Sequence, residues 1–345
     1  MKVARLYAPG DLRVEDSPVP HPGEGELVIR VRACATCGTD AKIFHHGHHH
    51  ISLPRVLGHE IAGEVAEVGA GLGDWMPGDR VQVIAAIPDG VCGYCRRGQE
   101  TVCEDLESMG YQYDGAFAEF MLVPAKVLER EGVNRIPDHV PFEAAALTEP
   151  LACVLNGQEI ANVGRGDTVV VLGAGPIGCL HVRLARARGA ATVMLVDVNR
   201  QRLDLAGRAE PDLSVDGSRD DPVDVVMKAT DGRGADVVIT ATGAGRAQEQ
   251  GLEMASRRGR ISLFGGLPKD DSVIRFDSNL VHYRELFVLG AYGSAPRHNA
   301  DALRLISDGV VRVDDLVTHR LPLDDVRRAI EVVTTGEALK VVIEP

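Results

Sequence analysis

The chain has 345 residues, of which 45% are hydrophobic and 25% are charged. This balance is typical of a globular protein and excludes a disordered or fibrous chain, and the length predicts two domains. The 37 basic and 50 acidic side chains give a formal net charge of -13, which disfavours nucleic acid and anionic membranes and favours a neutral or cationic small-molecule partner.

The amino-terminal stretch contains several acidic residues and no apolar run of signal-peptide length. No segment approaches the roughly 18 apolar residues that span a bilayer. We therefore expect a cytoplasmic protein. Seven cysteines in a chain of this length argue against a secreted disulfide framework and direct attention to thiolate or metal chemistry.

The first part of the chain has short alternating apolar runs separated by glycine and proline, clearest at 27–32, 64–68 and 79–83. A period of two predicts strands with one buried face. We therefore expect a mainly antiparallel β domain over residues 1–153.

From about residue 162 the pattern changes to continuous apolar runs separated by helical stretches, which is typical of parallel strands buried on both faces. Six strands are predicted, at 168–172, 193–197, 213–215, 236–240, 260–264 and 286–289. Helices are predicted at 177–188, 202–209 and 299–307, and a last apolar run lies at 340–343. The alternation predicts an α/β fold with a doubly wound parallel sheet over residues 154–290. Residues 291–345 are expected to rejoin the first domain.

A glycine-rich motif, Gly173-Ala-Gly175-Pro176-Ile177-Gly178, follows the first of these strands and opens a helix, and Asp197 ends the next strand. Glycines let the backbone approach a pyrophosphate, the helix N-terminus supplies N–H donors, and the acid accepts from ribose hydroxyls. The motif therefore predicts dinucleotide binding. An acid at position 197 repels a 2′-phosphate and favours NAD over NADP, although Arg200 and Arg202 weaken that preference.

Three residues in the first domain are candidate zinc ligands: Cys37, His59 and Glu149. One thiolate, one imidazole and one carboxylate satisfy zinc and leave a fourth position for water or substrate. Each residue alone has a plainer explanation in packing or helix capping. The three residues together, in a sequence that also contains a nucleotide-binding motif, predict a catalytic metal. Cys34 forms a Cys-x-x-Cys pair with Cys37 but lies in an alternating strand, and we interpret it as a packing residue.

A second cluster consists of Asp89, Cys92, Cys95 and Cys103. Cysteines at this spacing, with glycines between them, can converge on one closed tetrahedral metal in a loop that has no other core. Because there are only three thiols, a fourth ligand must come from elsewhere, and Asp89 is in register.

These motifs, in this order, resemble the zinc-dependent medium-chain alcohol dehydrogenases over nearly the whole chain. The region around Glu149 resembles the polyol branch, the sorbitol or L-iditol 2-dehydrogenases, with threonine and aldose dehydrogenases as near relatives. The resemblance implies a GroES-like catalytic domain, completed by the carboxyl-terminal segment, and a Rossmann domain. It also implies a homodimer or homotetramer.

The same resemblance assigns roles to individual residues. It makes Cys37, His59 and Glu149 the catalytic zinc ligands. Glu60 matches an acid that orients zinc-bound water or exchanges into the ligand shell, and Thr39 matches the hydroxyl that takes the alcohol proton.

For the cofactor, Asp197 and Arg202 match the pair that binds the adenosine ribose. The remaining cofactor-binding candidates are Gly173, Gly175, Pro176, Ile177, Gly178 and Thr242. The loop that carries Asp89, Cys92, Cys95 and Cys103, which we call the cysteine lobe, departs from the family pattern. The family has a cysteine where this chain has Asp89. Two alternatives follow: Asp89 ligates a structural zinc through oxygen, or the lobe is free of metal.

These features predict an enzyme that reversibly oxidises a secondary alcohol of a polyol, sugar or cyclitol to a ketone by hydride transfer to NAD at a zinc site. Alternative substrates are an amino sugar or aminocyclitol, L-threonine and an aldose. Rivals outside this class are a zinc-free quinone reductase and a cofactor-binding regulator. Neither needs the three candidate zinc ligands together.

Five histidines lie between His45 and His50. They suit a second metal or a proton relay, but we favour a solvated polar loop. Phe44, His45, Phe117 and Tyr292 are candidates for the substrate pocket by position, or aromatic core residues.

Overall fold

The computed structural model describes the whole chain, Met1–Pro345, and divides it into two compact units. One unit comprises Met1–Ala152 and Gly293–Pro345, and the other comprises Cys153–Tyr292. The predicted boundaries, after residues 153 and 290, lie one and two residues from these.

The first unit begins with ten strands and four helices. The strands are β1 Lys2–Ala8, β2 Asp11–Asp16, β3 Leu27–Ala35, β4 Arg55–Val56, β5 Glu60–Val68, β6 Arg80–Val83, β7 Ala86–Ile87, β8 Glu107–Ser108, β9 Phe120–Val123 and β10 Val133–Arg135. The helices are α1 Gly38–His46, α2 Ala125–Glu129, α3 Phe142–Ala146 and α4 Thr148–Ile160, of which α4 begins in the first unit and continues into the second. The predicted strands at 27–32, 64–68 and 79–83 correspond to β3, β5 and β6.

The second unit alternates strands and helices. Its strands are β11 Thr168–Leu172, β12 Thr192–Asp197, β13 Leu213–Asp216, β14 Ala235–Thr240, β15 Ala255–Leu263 and β16 Phe287–Gly290. Its helices are α5 Pro176–Ala187, α6 Arg200–Ala206, α7 Pro222–Ala229, α8 Gly245–Met254 and α9 Ser278–Arg284. The chain then continues in the first unit with α10 Pro296–Ser307, β17 Val317–Pro322, α11 Val326–Thr335 and β18 Lys340–Glu344.

All six strands predicted for the second unit are present, and they pair in parallel in the order β13-β12-β11-β14-β15-β16. This is the doubly wound order of a dinucleotide-binding fold, in which ligands bind at the carboxyl ends of the strands. Every residue of β11 is buried, which explains its continuous apolar sequence. The predicted fold class is confirmed.

The main sheet of the first unit runs β10-β6-β5-β3-β18-β17, with β9 also paired to β3. All of its pairs are antiparallel except β17 with β18. Strand β18 pairs with the end of β3, where Val342 lies opposite Ala35 and Ile343 opposite Cys34. The last strand of the chain therefore reaches the part of the sheet that precedes Cys37. No helix is long and apolar enough to cross a membrane.

Candidate active site and metal clusters

Cys37 is the N-cap of helix α1, immediately after strand β3. Its Sγ accepts a hydrogen bond from the Thr39 backbone N–H at 3.2 Å and lies 3.3 Å from His59 Nε2. The Cys37 backbone N–H donates to Asp40 Oδ2 at 2.9 Å, which completes the cap. Helix capping thus fixes the position of the thiol.

His59 is buried and precedes strand β5. Its Nδ1 lies 3.4 Å from Oδ1 of the buried Asp40, so its Nε2 faces Cys37. A carboxylate on one ring nitrogen sets the tautomer that a metal-ligating histidine needs on the other. Burial opposes protonation of His59, but the charges of Cys37 and Asp40 outweigh it and raise the pKa of the imidazole well above its usual value.

Glu60 is the first residue of β5 and is 1% exposed. Its Oε1 lies 2.5 Å from Nζ of Lys340, which is also buried and donates to the Thr36 carbonyl at 3.0 Å. Its Oε2 is buried without a hydrogen-bond partner. Burial raises the pKa of Glu60 to about 7, with Lys340 opposing that change and Glu149 reinforcing it.

Cys37, His59 and Glu60 present ligand atoms that all lie within 4.8 Å of one another. Thiolate, imidazole and carboxylate are the donors that zinc takes in proteins. A buried polar atom without a partner is uncommon and costly, so the free Oε2 of Glu60 is an observation in favour of a bound cation. These residues fit a catalytic zinc.

Glu149 lies in the first turn of helix α4 and is half-buried. It is outside the group formed by Cys37, His59 and Glu60, although its charge raises the pKa values of both Glu60 and Lys340. The sequence prediction places Glu149 in the ligand shell and Glu60 beside it. The structure groups Glu60 with Cys37 and His59, and the place of Glu149 in the ligand shell stays a prediction.

In the cysteine lobe, Asp89, Cys92, Cys95 and Cys103 also present ligand atoms within 4.8 Å of one another. Cys92 and Cys103 Sγ atoms are 4.0 Å apart, and none of the seven cysteines forms a disulfide. Asp89 Oδ1 accepts from the backbone N–H groups of Val91 at 2.8 Å and Cys92 at 2.9 Å. These N–H groups hold the pKa of Asp89 well below its usual value, so a carboxylate faces the thiols.

The glycine-rich motif connects β11 to α5, whose N-cap is Gly175 and whose first residue is Pro176. Gly173 has a φ of 114°, a backbone conformation that is strained for any residue with a side chain. A Cβ at Gly178 would lie 1.8 Å from the Gly173 carbonyl oxygen, so only glycine fits there. A Cβ at Gly175 would meet nothing within 4 Å. The open side of Gly175, at a helix N-terminus, fits a pyrophosphate.

Asp197 ends β12, the strand beside β11. Its Oδ2 accepts from the Ala174 N–H at 2.7 Å and its Oδ1 from the Asn199 N–H at 2.8 Å. Arg202 follows in α6, where its backbone N–H donates to the capping Asn199 side chain. The acid predicted to bind ribose is therefore fixed against the glycine-rich loop.

Thr242 follows the carboxyl end of β14, the strand on the other side of β11. A Cβ at Gly173 would lie 3.3 Å from the Thr242 Cβ, so Thr242 lies beside the glycine-rich loop. Ile177, the second residue of α5, is half-buried. All the cofactor candidates thus lie at the carboxyl edge of the parallel sheet.

Two family models match the chain: the alcohol dehydrogenase GroES-like domain over residues 23–137 and the zinc-binding dehydrogenase over residues 176–308. A sorbitol dehydrogenase from Halalkalibacterium halodurans is 32% identical over 345 residues, which cover 99% of this chain and 98% of that protein. The chain belongs to the zinc-dependent medium-chain alcohol dehydrogenase superfamily. The sorbitol dehydrogenase likeness supports its polyol branch.

Two further relatives also cover most of the chain. An L-threonine 3-dehydrogenase from Pyrococcus furiosus is 37% identical over 332 residues, 94% of this chain and 92% of that protein. The crystal structure of a zinc-binding dehydrogenase from Sinorhizobium meliloti 1021 bound to NADP matches with a TM-score of 0.93 and 33% identity, and covers 100% of this chain and 99% of that one. This chain is therefore an oxidoreductase that acts on alcohols with zinc and a nicotinamide cofactor, as predicted.

Several side chains of this dehydrogenase lie in the core or in solvent. Cys34 is fully buried in the hydrophobic core, which confirms the packing interpretation. Phe44 and Phe117 also belong to that core, whereas Tyr292 is 70% exposed. The histidines at positions 45, 46 and 48–50 are exposed at and beyond the end of α1.

Sequence reasoning missed two residues of the active site. The sequence analysis assigns no role to Asp40, which contacts both Cys37 and His59. For Lys340, the sequence predicts only the first residue of the last apolar run, 340–343. A lysine that opens an otherwise apolar run is a detectable signal, because lysine is seldom buried without a charged partner.

Proposed function

We propose that this dehydrogenase reversibly oxidises a secondary alcohol of a polyol, sugar or cyclitol to a ketone by hydride transfer to NAD. The observation that carries the proposal is the group of the half-buried Cys37 and the buried His59 and Glu60, together with the buried Oε2 of Glu60, which has no hydrogen-bond partner. Zinc bound by these residues supplies a Lewis acid that polarises the substrate hydroxyl.

The chain's own residues then orient the substrate and move its proton. Thr39 is half-buried one residue into α1, and its N–H is already hydrogen-bonded to Cys37 Sγ. We assign its hydroxyl to accept the alcohol proton and pass it outward. The helix cap that positions Cys37 also fixes the backbone of Thr39, so little ordering is left for the moment of reaction.

Substrate choice is tested by following NAD reduction with sorbitol, other polyols, cyclitols, aldoses, amino sugars and L-threonine, before and after treatment with a chelator. Chelator-sensitive turnover of a polyol supports the proposal. L-Threonine is the second candidate, since the Pyrococcus furiosus enzyme is 37% identical over 332 residues. Turnover of L-threonine alone would replace the polyol assignment.

For the cofactor, NAD is proposed over NADP because the Asp197 carboxylate is held by two backbone N–H groups and would repel a 2′-phosphate. The NADP in the Sinorhizobium meliloti relative makes this a necessary test. We expect a higher kcat/KM with NAD than with NADP. We expect Asp197→Ser to lower the ratio of these two kcat/KM values by about tenfold. A wild-type preference for NADP would reverse the assignment.

The lobe is proposed to hold a structural zinc, with Asp89 as an oxygen ligand beside Cys92, Cys95 and Cys103. Four convergent donors and the low pKa of Asp89 support this. Metal analysis by atomic emission is expected to give two zinc ions per chain, and one after replacement of the lobe cysteines. A single zinc in the wild-type protein would favour the metal-free alternative.

A homodimer is proposed through strand β16. It is the edge strand of the parallel sheet, and Phe287 on it is 46% exposed. An apolar edge strand invites pairing with a second copy across a two-fold axis. Light scattering that shows a monomer at assay concentration would exclude this assembly.

A further inference from the structure

Lys340 is the first residue of β18, and its side chain is 2% exposed. Its Nζ makes two contacts, with Glu60 Oε1 at 2.5 Å and with the Thr36 carbonyl at 3.0 Å. A buried ammonium is costly unless it is paired, so its position in an apolar strand is specific to these two acceptors.

The groups that face Lys340 come from several elements. Glu60 is on β5, Cys37 caps α1 and Glu149 is in α4, and all three favour its charged form. The ammonium is therefore the counter-charge of a buried acidic group.

The two oxygens of Glu60 are in different environments. Oε1 accepts a hydrogen bond from Lys340, whereas Oε2 is buried and has no partner. Glu60 also presents a carboxylate oxygen within 4.8 Å of the ligand atoms of Cys37 and His59. A carboxylate can ligate a metal through one oxygen or through both. Occupation of Oε1 by an ammonium leaves one oxygen for a cation.

We propose that Lys340 is a positioning residue that limits Glu60 to a single ligating oxygen and so keeps a coordination position open for substrate. This inference rests on the proposed zinc site at Cys37, His59 and Glu60. It assigns to the last strand of the chain a part in setting the ligand number of the metal.

The removal of Lys340 has two consequences for the site. Oε1 is released and can turn towards the metal, and a positive charge is removed from its neighbourhood. Both changes strengthen retention of a cation, and ligation by Oε1 also takes up a coordination position otherwise left for substrate. A role in packing alone would change neither.

The test uses the full-length enzyme with cobalt(II) in place of zinc, because cobalt absorbs visible light strongly when four-coordinate and weakly with more ligands. The variants are Lys340→Met, which keeps the length and removes the donor, and Lys340→Arg, which keeps the charge and the donor. The spectrum of Cys37→Ser, which retains the lobe, is subtracted from each. We expect weaker visible absorption and about tenfold slower loss of metal to a chelator for K340M, and near wild-type behaviour for K340R.

Three results would overturn the inference. The first is a folded K340M protein with the wild-type spectrum and release rate. The second is an equal change in K340R. The third is a crystal structure of the zinc-loaded wild-type enzyme with both Glu60 oxygens on the metal, which decides the matter even if K340M does not fold.

The proposed zinc site is tested separately by Cys37→Ser and Glu60→Gln. Loss of one metal ion in C37S and weakened retention in E60Q, with K340M unaffected, would reject only the role of Lys340. Retention of all metal in both C37S and E60Q would reject the zinc site itself.

Discussion

The two candidate metal clusters of this dehydrogenase are built in opposite ways. The ligands at the active site are distant in sequence and are carried by regular elements, a helix cap before α1 and the start of β5. The lobe takes all four candidate ligands from the 15 residues 89–103, which contain only two short 3₁₀ turns. One cluster is positioned by the fold, and the other is a loop.

Burial follows the same division. His59 and Glu60 are buried, next to a sheet whose core includes β3 and β5. In the lobe, Val91 and Val102 are 61% and 51% exposed, and Cys103 is the one buried residue of the four candidate ligands. A metal at the active site therefore binds to a site that the fold has already formed. A metal in the lobe would instead stabilise a loop that has little apolar packing of its own.

The largest effect is expected at the active site, from Cys37→Ser. This change removes the thiolate ligand but leaves the helix cap, since serine is a good N-cap residue. Turnover should fall by about 1000-fold or more, while NAD binding and the melting temperature stay close to wild type. Steady-state kinetics measure the turnover, and calorimetric titration with NAD measures cofactor binding. Retained turnover would reject the role of Cys37.

The next largest effect is expected in the lobe, and it should leave the active site unchanged. Cys92→Ser combined with Cys95→Ser removes two thiols from the loop that has no other core. We expect the melting temperature to fall by about 10 °C and the loop at 89–107 to become sensitive to protease, with the catalytic metal still present. Differential scanning calorimetry and limited proteolysis check this. An unchanged melting temperature would show that the lobe does not depend on metal.

A third effect belongs to the proton path beside the active site. Thr39→Val keeps the shape of the side chain and removes its hydroxyl, so kcat should fall by about 100-fold without loss of zinc. Thr39→Ser, which keeps a hydroxyl on the same helix cap, is the matched control and should retain most of the activity. Equal activity of the valine and serine variants would remove Thr39 from the mechanism.

Strands and ligand groups whose residues are close in the sequence were predictable. Contacts between residues that are distant in the sequence were not. The six strands of the parallel sheet were recognisable because strands such as β11 are buried on both faces and leave a continuous apolar run. The lobe was recognisable because its ligands are close in the chain. The role of Lys340 was not, because it pairs with Glu60 across 280 residues, through the contact of β18 with β3.

The choice between two carboxylates shows the same limit. Glu60 and Glu149 are both plausible ligands by residue type and motif, and the sequence alone favoured Glu149. Which of them completes the ligand shell depends on the tertiary arrangement of the start of β5 and of α4. The structure brings a Glu60 oxygen within 4.8 Å of the ligand atoms of Cys37 and His59, and the ligand role of Glu149 stays a prediction. Motif spacing identifies donors, but the ligand shell is set by packing.

The smallest expected effect concerns Asp89, where the lobe departs from four thiols. Asp89→Asn keeps an oxygen for the N–H groups of Val91 and Cys92, so the turn should persist while the anionic ligand is lost. We expect zinc affinity of the lobe to fall by about tenfold and the melting temperature of the metal-free protein to stay unchanged. Competition with a chromophoric chelator measures the affinity, and Asp89→Cys should raise it. If D89N binds zinc as tightly as the wild type, Asp89 shapes the turn and is not a ligand, and the lobe would then differ from the active site in its donors as well as in its construction.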